Sequence, residues 1–144
     1  MSDLTFDGQT HTLTLRGQEG NIVGTWAANN RTDSHATLQF IPNGNYAVRD
    51  SRAPTRHGAT DDSIDGRYGT QGIVQFNVPG HVGVGIHAGR QVTADLTPER
   101  SAGPDHVTNG CIRTNEAAMR AIVNTMRNDP LTVVRVVNNR NQRR

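Results

Sequence analysis

Apolar and polar residues alternate along much of the chain with a period of two, which is typical of strands with one buried face. This pattern, or a short β-branched run, predicts strands directly after Met1 and at residues 11–16, 22–27, 36–41, 46–48, 73–78, 81–87 and 131–137. The pair Asn43-Gly44 favours a tight turn, so the segments on either side of it are predicted to form a hairpin. The β-branched run Leu131–Val137 is expected to be a central strand of the sheet.

One segment has the period of an α-helix instead. Its apolar face consists of Ala118, Met119, Ile122 and Met126. Asn115 or Thr114 can cap the first turn, and Asp129-Pro130 ends the helix. The predicted fold class is therefore mainly β, a β-rich α+β domain with one main helix at residues 115–128.

The strand predicted at 81–87 has two unlike faces. They consist of Val82, Val84 and Ile86 on one side and of His81, Gly83, Gly85 and His87 on the other. The first face is expected to pack on the core. The second is bare backbone between two imidazoles, and glycines within a strand often mark the close approach of a ligand or another backbone. A groove is predicted here, with His81 and His87 lining it.

Two long polar segments, residues 49–72 and 88–110, interrupt the predicted elements. Loops of this length are usually functional or poorly ordered. Arg67 and Tyr68 in the first segment are candidates for a lid over the groove, where they would contact a substrate. The two loops would then control the access of water to the groove.

The composition narrows the classes of function. The chain has 144 residues, a formal net charge of +2 and one cysteine, Cys111. A single cysteine excludes an internal disulfide and a cysteine-rich zinc site, and no His-Glu-x-x-His spacing occurs, so neither a metal nor another cofactor is expected. Acidic and basic residues are mixed, unlike the one-sided basic surface of a nucleic-acid-binding protein. No apolar run approaches the roughly 20 residues of a membrane helix, so membrane insertion is not expected.

The length fits a single domain, which is assigned to residues 1–138 and followed by a basic tail at 139–144. The tail is either a solvated terminus or a contact for an anionic surface. The sequence begins without a basic patch followed by an apolar stretch, so its start is not a secretory signal peptide.

The surroundings of Cys111 in the sequence favour reactivity. Gly110 precedes it and allows a tight turn, a predicted helix begins a few residues later, and Arg113 adds a nearby positive charge. A helix N-terminus and a cation both favour a thiolate. Cysteines are nevertheless often inert and buried, so the residues alone leave a nucleophile and a structural thiol as alternatives.

A thiol nucleophile needs a base, and His87 is the leading candidate because it ends the glycine-lined face. The alternative is a strand-end histidine bonded to a loop carbonyl. His87 precedes Cys111 by 24 positions, whereas papain-like peptidases have the opposite order. His106, beside Asp105, could reach the site from its loop, but a surface histidine is the favoured interpretation.

Gly85-Ile86-His87-Ala88-Gly89 followed by Thr108-Asn109-Gly110-Cys111-Ile112-Arg113 resembles the signature of the L,D-transpeptidase (YkuD) family. The chain departs from that signature at Asn109, where the family usually has histidine, and in a longer loop. A weaker resemblance relates the chain to a compact subgroup of this family that contains type VI secretion effectors. It rests on Leu4–Gly8, Leu13–Leu15, Gly20–Val23, Trp26-Ala27 and Ile41–Gly44.

The resemblance implies a curved mixed sheet with one helix beside a Cys-His active site. Cys111 would attack the carbonyl after the third residue of a peptidoglycan stem tetrapeptide, and His87 would take the thiol proton. Ala88 would orient the imidazole. The backbone N–H groups of Gly110 and Cys111 would stabilise the oxyanion, with Asn109 beside them. Substrate contacts are expected from Thr108, His81 and Tyr68, and above all from Arg113, whose guanidinium suits a carboxylate.

The implied activity is L,D-carboxypeptidase or L,D-transpeptidase, according to whether water or an amine takes the acyl group. The resemblance further implies type VI delivery into the periplasm of a target bacterium, with an immunity protein and secretion components as partners. A periplasmic protein whose signal peptide is missing from the sequence is the alternative. A second function hypothesis is a cell-wall binding module that keeps the fold without the chemistry.

Overall fold

The computed structural model of the protein describes residues 1–33, 35–91 and 102–140. In chain order the elements are β1 (Ser2–Asp7), β2 (Thr12–Arg16), β3 (Ile22–Asn29), β4 (Gly44–Ala47), β5 (Val74–Gln75), β6 (Gly85–His87), a short 3₁₀ helix (Gly103–Asp105), β7 (Ile112–Thr114), α1 (Glu116–Asn128) and β8 (Leu131–Val137). The eight strands formed by these described residues belong to one sheet in the order β4-β8-β1-β2-β3-β7-β6-β5. The predicted class, mainly β with a single helix, is confirmed.

The sheet is mixed. β1 pairs with β8 and β6 pairs with β7 in parallel, whereas the other neighbours are antiparallel. The first three strands form a meander, and alternate side chains of β1 and β2 are buried, as the period of two predicts. In β3 the first residues, Ile22 and Val23, are exposed instead. β8 lies between β1 and β4, so the strand predicted to be central has a neighbour on each side.

The helix α1 has the predicted bounds, face and cap. The Asn115 side chain accepts a hydrogen bond from the N–H of Ala118 at 2.8 Å, which satisfies one donor of the open first turn. Met119, Ile122 and Met126 are fully buried in the same apolar cluster as the side chains of β1 and β2. The helix therefore covers the sheet directly after β7, the strand that follows Cys111.

The strand predicted at 36–41 is wrong, and so is the hairpin through Asn43-Gly44. Side chains take the place of a neighbouring strand here. The N–H of Ile41 donates to Oδ1 of Asn30 at 2.8 Å, and the carbonyl of Gln39 accepts from the Thr32 hydroxyl at 2.5 Å. β4 pairs with β8 instead of turning back on this segment.

The strands predicted at 73–78 and 81–87 are shorter than expected, since β5 covers only Val74–Gln75 and β6 only Gly85–His87. A turn with an N–H···O bond from His81 to Val78 lies between them. Val82 is 95% exposed, so it does not share the buried face of Val84 and Ile86. Another backbone approaches Gly85 closely, as expected for a glycine within a strand. A Cβ at this position would lie 2.5 Å from the carbonyl oxygen of Val74. The glycine therefore permits the close approach of β5 to β6.

The packed domain continues past the predicted boundary at 138. Asn139 is buried, and its side chain donates to the carbonyl of Ile41 at 2.8 Å. The rest of the predicted tail, residues 141–144, lies outside the described residues, as do residues 92–101 of the predicted loop 88–110. Within the described part of the chain, every helix is too short or too polar to cross a membrane.

Candidate active site

The short parallel pair of β6 and β7 positions the candidate nucleophile and base. Ile86 is paired with Ile112 and His87 with Arg113, so the register places Cys111 opposite Gly85. Because side chains two residues apart share a face of a strand, Cys111, Arg113 and His87 lie on the same face of the sheet.

This face opens into a pocket of about 290 Å³. Six of the nine predicted site residues line it: Tyr68, His87, Thr108, Asn109, Cys111 and Arg113. Arg67, the second predicted lid residue, lines it as well. Two other predicted residues, Ala88 and Gly110, are direct neighbours of His87 and Cys111 in the chain. His81 is not among them and lines a neighbouring groove that meets this pocket at Asn109.

His87 is held rigidly at the base of the pocket. Its Nδ1 lies 2.7 Å from the carbonyl oxygen of Ala88, and the edge-on ring of Tyr68 lies 5.0 Å from its own ring. A carbonyl accepts hydrogen bonds only, so Nδ1 carries the proton in the neutral ring and Nε2 keeps its lone pair. Burial, with Arg113 as the next largest cause, lowers the pKa of His87 to about 3. The imidazole is therefore neutral at physiological pH.

Cys111 is half-buried, and its thiol lies 3.8 Å from the carbonyl oxygen of Gly83. Burial raises the pKa of the thiol, although a hydrogen bond from Gly85 and the charge of Arg113 act in the opposite direction. The environment thus differs from the thiolate-favouring one that the sequence predicted, because desolvation outweighs the nearby cation. Cys111 and His87 rest as a neutral thiol and a neutral imidazole.

Thr108 shapes the turn that carries Cys111. Its Oγ1 accepts the N–H of Gly110 at 3.1 Å and donates to the carbonyl of Cys111 at 2.7 Å. Gly110 adopts a φ of +135°, which residues with a side chain rarely adopt. One of the two backbone donors expected to meet an oxyanion is therefore already used within the turn, and the N–H of Cys111 is the other.

Arg113 also differs from its predicted role. The sequence placed its guanidinium against a substrate carboxylate, but the side chain is 4% exposed and bonded to backbone. Nη1 donates to the carbonyls of His106 and Val107 at 3.3 and 3.1 Å, and Nη2 donates to the carbonyl of Arg67 at 3.0 Å. Arg113 thus ties both loops of the pocket to β7. Burial, and next the charge of Arg90, lower its pKa to about 10.

Comparison with known proteins places these residues in a family. The model of the L,D-transpeptidase (YkuD) catalytic domain matches residues 5–136, which is most of the chain. The chain belongs to this family.

Solved structures of L,D-transpeptidases share the fold. L,D-transpeptidase 1 of Mycobacterium tuberculosis has a TM-score of 0.52 at 16% identity, with 94% of this chain and 60% of that one covered. The L,D-transpeptidase of Stackebrandtia nassauensis has a TM-score of 0.56 at 14% identity, with 98% of this chain and 57% of that one covered. Residues 123–326 of the Xylanimonas cellulosilytica L,D-transpeptidase have a TM-score of 0.52 at 18% identity, with 94% of this chain and 59% of that one covered. The chain therefore spans about 60% of these structures. A comparison with curated proteins finds no significant match.

The L,D-transpeptidase domain has a second histidine in its pocket that the sequence analysis placed at the surface. His106 is 8% exposed, and its Nδ1 lies 2.9 Å from the carbonyl oxygen of Val107, the same contact with the following residue that His87 makes. The prediction failed because the surrounding loop is polar in sequence, whereas in the structure the carbonyls of 106 and 107 are drawn inward by Arg113.

Three further pocket residues of the L,D-transpeptidase domain were not predicted: Asp33, Arg90 and Val107. Asn30 was missed as well; it lies beneath the pocket and contacts the turn that carries Cys111. Arg90 follows the predicted His87–Gly89 motif directly, so proximity to a motif was the available signal for it. No local pattern marks Asn30, which is 80 residues from its partner Gly110. Among the described residues, no group of His, Cys, Asp or Glu side chains is arranged to hold a metal ion.

Proposed function

We propose that the protein is a peptidoglycan-modifying cysteine enzyme that acts on stem tetrapeptides, with Cys111 as nucleophile and His87 as base. The observation that carries the proposal is the placement of both side chains on one face of two adjacent parallel strands, at a single pocket. The bond between His87 and the Ala88 carbonyl supports it, because that bond leaves Nε2 as the proton acceptor.

The reaction starts from the neutral pair. Nε2 of His87 takes the thiol proton as the sulfur of Cys111 bonds to the carbonyl carbon of the third stem residue, and the carbonyl π electrons move to oxygen. When the tetrahedral species collapses, the C–N bond to D-alanine breaks. The departing amine takes the proton from His87, which gives it up readily because burial, and next the charge of Arg113, disfavour the imidazolium. A thioester and free D-alanine remain.

The thioester then reacts with one of two nucleophiles. Water gives a tripeptide carboxylate and restores the thiol, which is the carboxypeptidase reaction. The amine of a D-amino acid or of another stem gives a new amide, which is the transpeptidase reaction. In both cases His87 takes a proton from the nucleophile and returns it to the sulfur.

Arginines around the pocket support an anionic peptide as substrate. Arg67 and Arg90 line it together with the buried Arg113, while Asp33 is the one acidic residue that the structure places in its lining. A stem tetrapeptide ends in the carboxylate of D-alanine, and guanidinium groups suit carboxylates. Since Arg113 is engaged with carbonyls, we assign the contact with this carboxylate to Arg67 and Arg90.

The effector role belongs to the same proposal. The weaker resemblance to type VI effectors supports delivery into the periplasm of a target bacterium, and such a role implies an immunity protein in the producing cell. The gene neighbourhood tests it: type VI genes and a gene for an exported small protein beside this one are the expected result. A preceding export signal and no such genes would place the enzyme in its own cell's periplasm.

The chemistry is tested with purified stem tetrapeptide and mass spectrometry. The wild-type protein should remove D-alanine or exchange it for an added D-amino acid, and Cys111→Ala should abolish both reactions. His87→Asn should reduce turnover by at least about 100-fold, since general base catalysis contributes about that much or more. His11→Asn, an exposed turn substitution at a φ of 57° that asparagine tolerates, is the control with wild-type turnover. D-Alanine release by Cys111→Ala would overturn the proposal.

The raised pKa of Cys111 favours a second candidate, a cell-wall binding module without catalysis. Alkylation by iodoacetamide separates the two. If Cys111 and His87 form a working pair, His87→Asn should slow alkylation of Cys111 several-fold at neutral pH. Equal alkylation rates in the wild type and the variant, together with retained binding to isolated peptidoglycan, would favour the binding module.

A further inference from the structure

A buried asparagine beneath the nucleophile has every polar group engaged. Asn30 follows β3 directly and is fully buried. Its Nδ2 donates to the carbonyl of Gly110 at 2.8 Å and to that of Cys111 at 3.1 Å. Its Oδ1 accepts the N–H of Ile41 at 2.8 Å and the amide of Asn139 at 3.0 Å. Two donors and two lone pairs are the full capacity of an asparagine side chain.

The partners also fix which way the amide faces. Two carbonyl oxygens can only accept and a backbone N–H can only donate, so the orientation of Asn30 follows from its neighbours. A flipped amide would bring oxygen against oxygen at Gly110 and nitrogen against N–H at Ile41. The side chain is therefore locked in one conformation.

This lock determines the direction of a catalytic donor. The carbonyl of Gly110 and the N–H of Cys111 belong to one trans peptide group, in which they point in opposite directions. Asn30 holds that carbonyl toward the interior, so the N–H of Cys111 points away from the interior. The carbonyl of Cys111 is held from two sides, by Asn30 and by the Thr108 hydroxyl.

We propose that Asn30 is a positioning residue that aims the N–H of Cys111 at the oxyanion formed during acyl transfer. The inference rests on the proposed function for its natural substrate, but it concerns any acylation of Cys111. Because the N–H of Gly110 is already bonded to Thr108, the turn depends on the single donor that Asn30 aligns.

Two reagents separate this role from a general effect on the thiol. 4-Nitrophenyl acetate acylates sulfur through a tetrahedral oxyanion and releases nitrophenolate, whereas iodoacetamide alkylates sulfur by displacing iodide and forms no oxyanion. In Asn30→Ala, acetylation of Cys111 should fall about 10- to 100-fold relative to the wild type, which is less than the roughly 100- to 1,000-fold loss on complete removal of an oxyanion donor. Alkylation should stay within about threefold of the wild-type rate.

Asn29→Ala is the matched control. Asn29 is the neighbouring buried asparagine, and its Nδ2 also makes two hydrogen bonds, to the Pro104 carbonyl and to Asp105, each at 3.1 Å. Neither of these two bonds reaches the Cys111 turn, so both rates should stay close to wild type although the protein loses stability. If Asn30→Ala does not fold, Asn30→Ser, which keeps one donor, replaces it and should show the same selective loss.

The outcomes are decisive in both directions. Equal losses of acetylation and alkylation, or wild-type acetylation in a folded Asn30 variant, would overturn the positioning role. The ratio of the acetylation rate to the alkylation rate should be higher for wild-type Cys111 than for free cysteine. An equal ratio would also overturn the positioning role, since no aligned donor would then exist. With stem tetrapeptide, kcat should fall while KM stays within about threefold. A selective loss with the ester in a protein that never turns over stem peptide would refute the proposed substrate and leave the role of Asn30 intact.

Discussion

Arg113 illustrates how a buried charge in a pocket can hold the surrounding loops in place instead of contacting a ligand. A guanidinium carries its donors in a fixed planar fork, and here two of its nitrogens meet three backbone carbonyls on two different loops. Removing such a group leaves those carbonyls buried without a partner, which costs more free energy than the hydrogen bonds contribute on balance. Arg113, the last residue of the family signature, thus links the two loops to β7.

Arg113→Lys should therefore lower the free energy of unfolding by about 2 kcal/mol, because an ammonium on a flexible stem cannot reach all three carbonyls. Urea-induced unfolding measures the change. Arg120→Lys, on the exposed side of α1, is the matched control and should change the stability by less than about 0.5 kcal/mol. A stable Arg113→Lys protein with a raised KM and an unchanged kcat would instead make Arg113 a ligand of the substrate.

What the sequence could predict at this scale depended on distance along the chain. Cys111, Thr108 and Gly110 stand together in a short motif, and their turn is visible in the order of residues. His87 was found because it ends a strand face that is lined by glycines. Asn30 and Asn139 were not found. The contact of Asn30 with the turn that carries Cys111 spans 80 positions and its contact with Asn139 spans 109, so neither leaves a local pattern.

At the scale of elements, the polar segment 49–72 is fastened over the pocket by the start of α1. The Glu116 carboxylate, in the first turn of the helix, accepts the N–H of Thr70 at 3.0 Å and also bonds to the Thr70 hydroxyl. Two residues earlier, the carbonyl of Tyr68 accepts the N–H of Ala88 at 3.2 Å. The loop thus presents Tyr68 to His87 from a position fixed by the helix.

Glu116→Gln should loosen this segment without unfolding the domain. Loss of a charge-assisted bond of about 1–1.5 kcal/mol raises the population of the open loop roughly five- to tenfold. Native-state digestion with trypsin reports it, because Arg56 and Arg67 are exposed sites in the segment. Cleavage at both should accelerate by about that factor, while Glu19→Gln, in the exposed β2–β3 turn, should leave it unchanged. Equal cleavage rates in the two variants would mean that other contacts hold the loop.

Elements whose partners are near in sequence were predictable, and elements defined by distant partners were not. The meander of β1 to β3 and the helix α1 follow from periodicity and capping. The segment 36–41 has a strand-like pattern but lies against Asn30 and Thr32 rather than beside a strand. β7 is three residues long and becomes a strand because it pairs with β6 and β3, which no local pattern reveals.

At the scale of the whole molecule, a near-neutral chain concentrates positive charge at one buried site. Arg113, Arg90 and His57 all lower the pKa of His87, in addition to the larger effect of burial. A protonated His87 would be a further cation in this environment. The fold therefore keeps the imidazole neutral, which suits a base, and destabilises the imidazolium, which suits the return of the proton to a leaving group.

The lowered pKa of the buried His87 makes the free energy of unfolding depend on pH. In the unfolded chain a histidine titrates at about 6.5, whereas His87 in the folded protein titrates at about 3, so unfolding takes up a proton between these values. The free energy of unfolding should accordingly fall as the pH falls below about 6.5, and by pH 4 His87 alone should account for a loss of about 3 kcal/mol relative to pH 7.

His87→Asn isolates this contribution, because its amide can still donate to the Ala88 carbonyl but does not titrate. The difference in unfolding free energy between pH 7 and pH 4, measured with urea, should be smaller in this variant by about 3 kcal/mol. His11→Asn removes an exposed imidazole and should retain the wild-type difference. All three proteins contain the same carboxyl groups, so the comparison isolates the substituted histidine. An identical pH dependence in the wild type and His87→Asn would show that His87 takes up its proton over the same pH range in the folded and unfolded chains, which would contradict a lowered pKa in the folded protein.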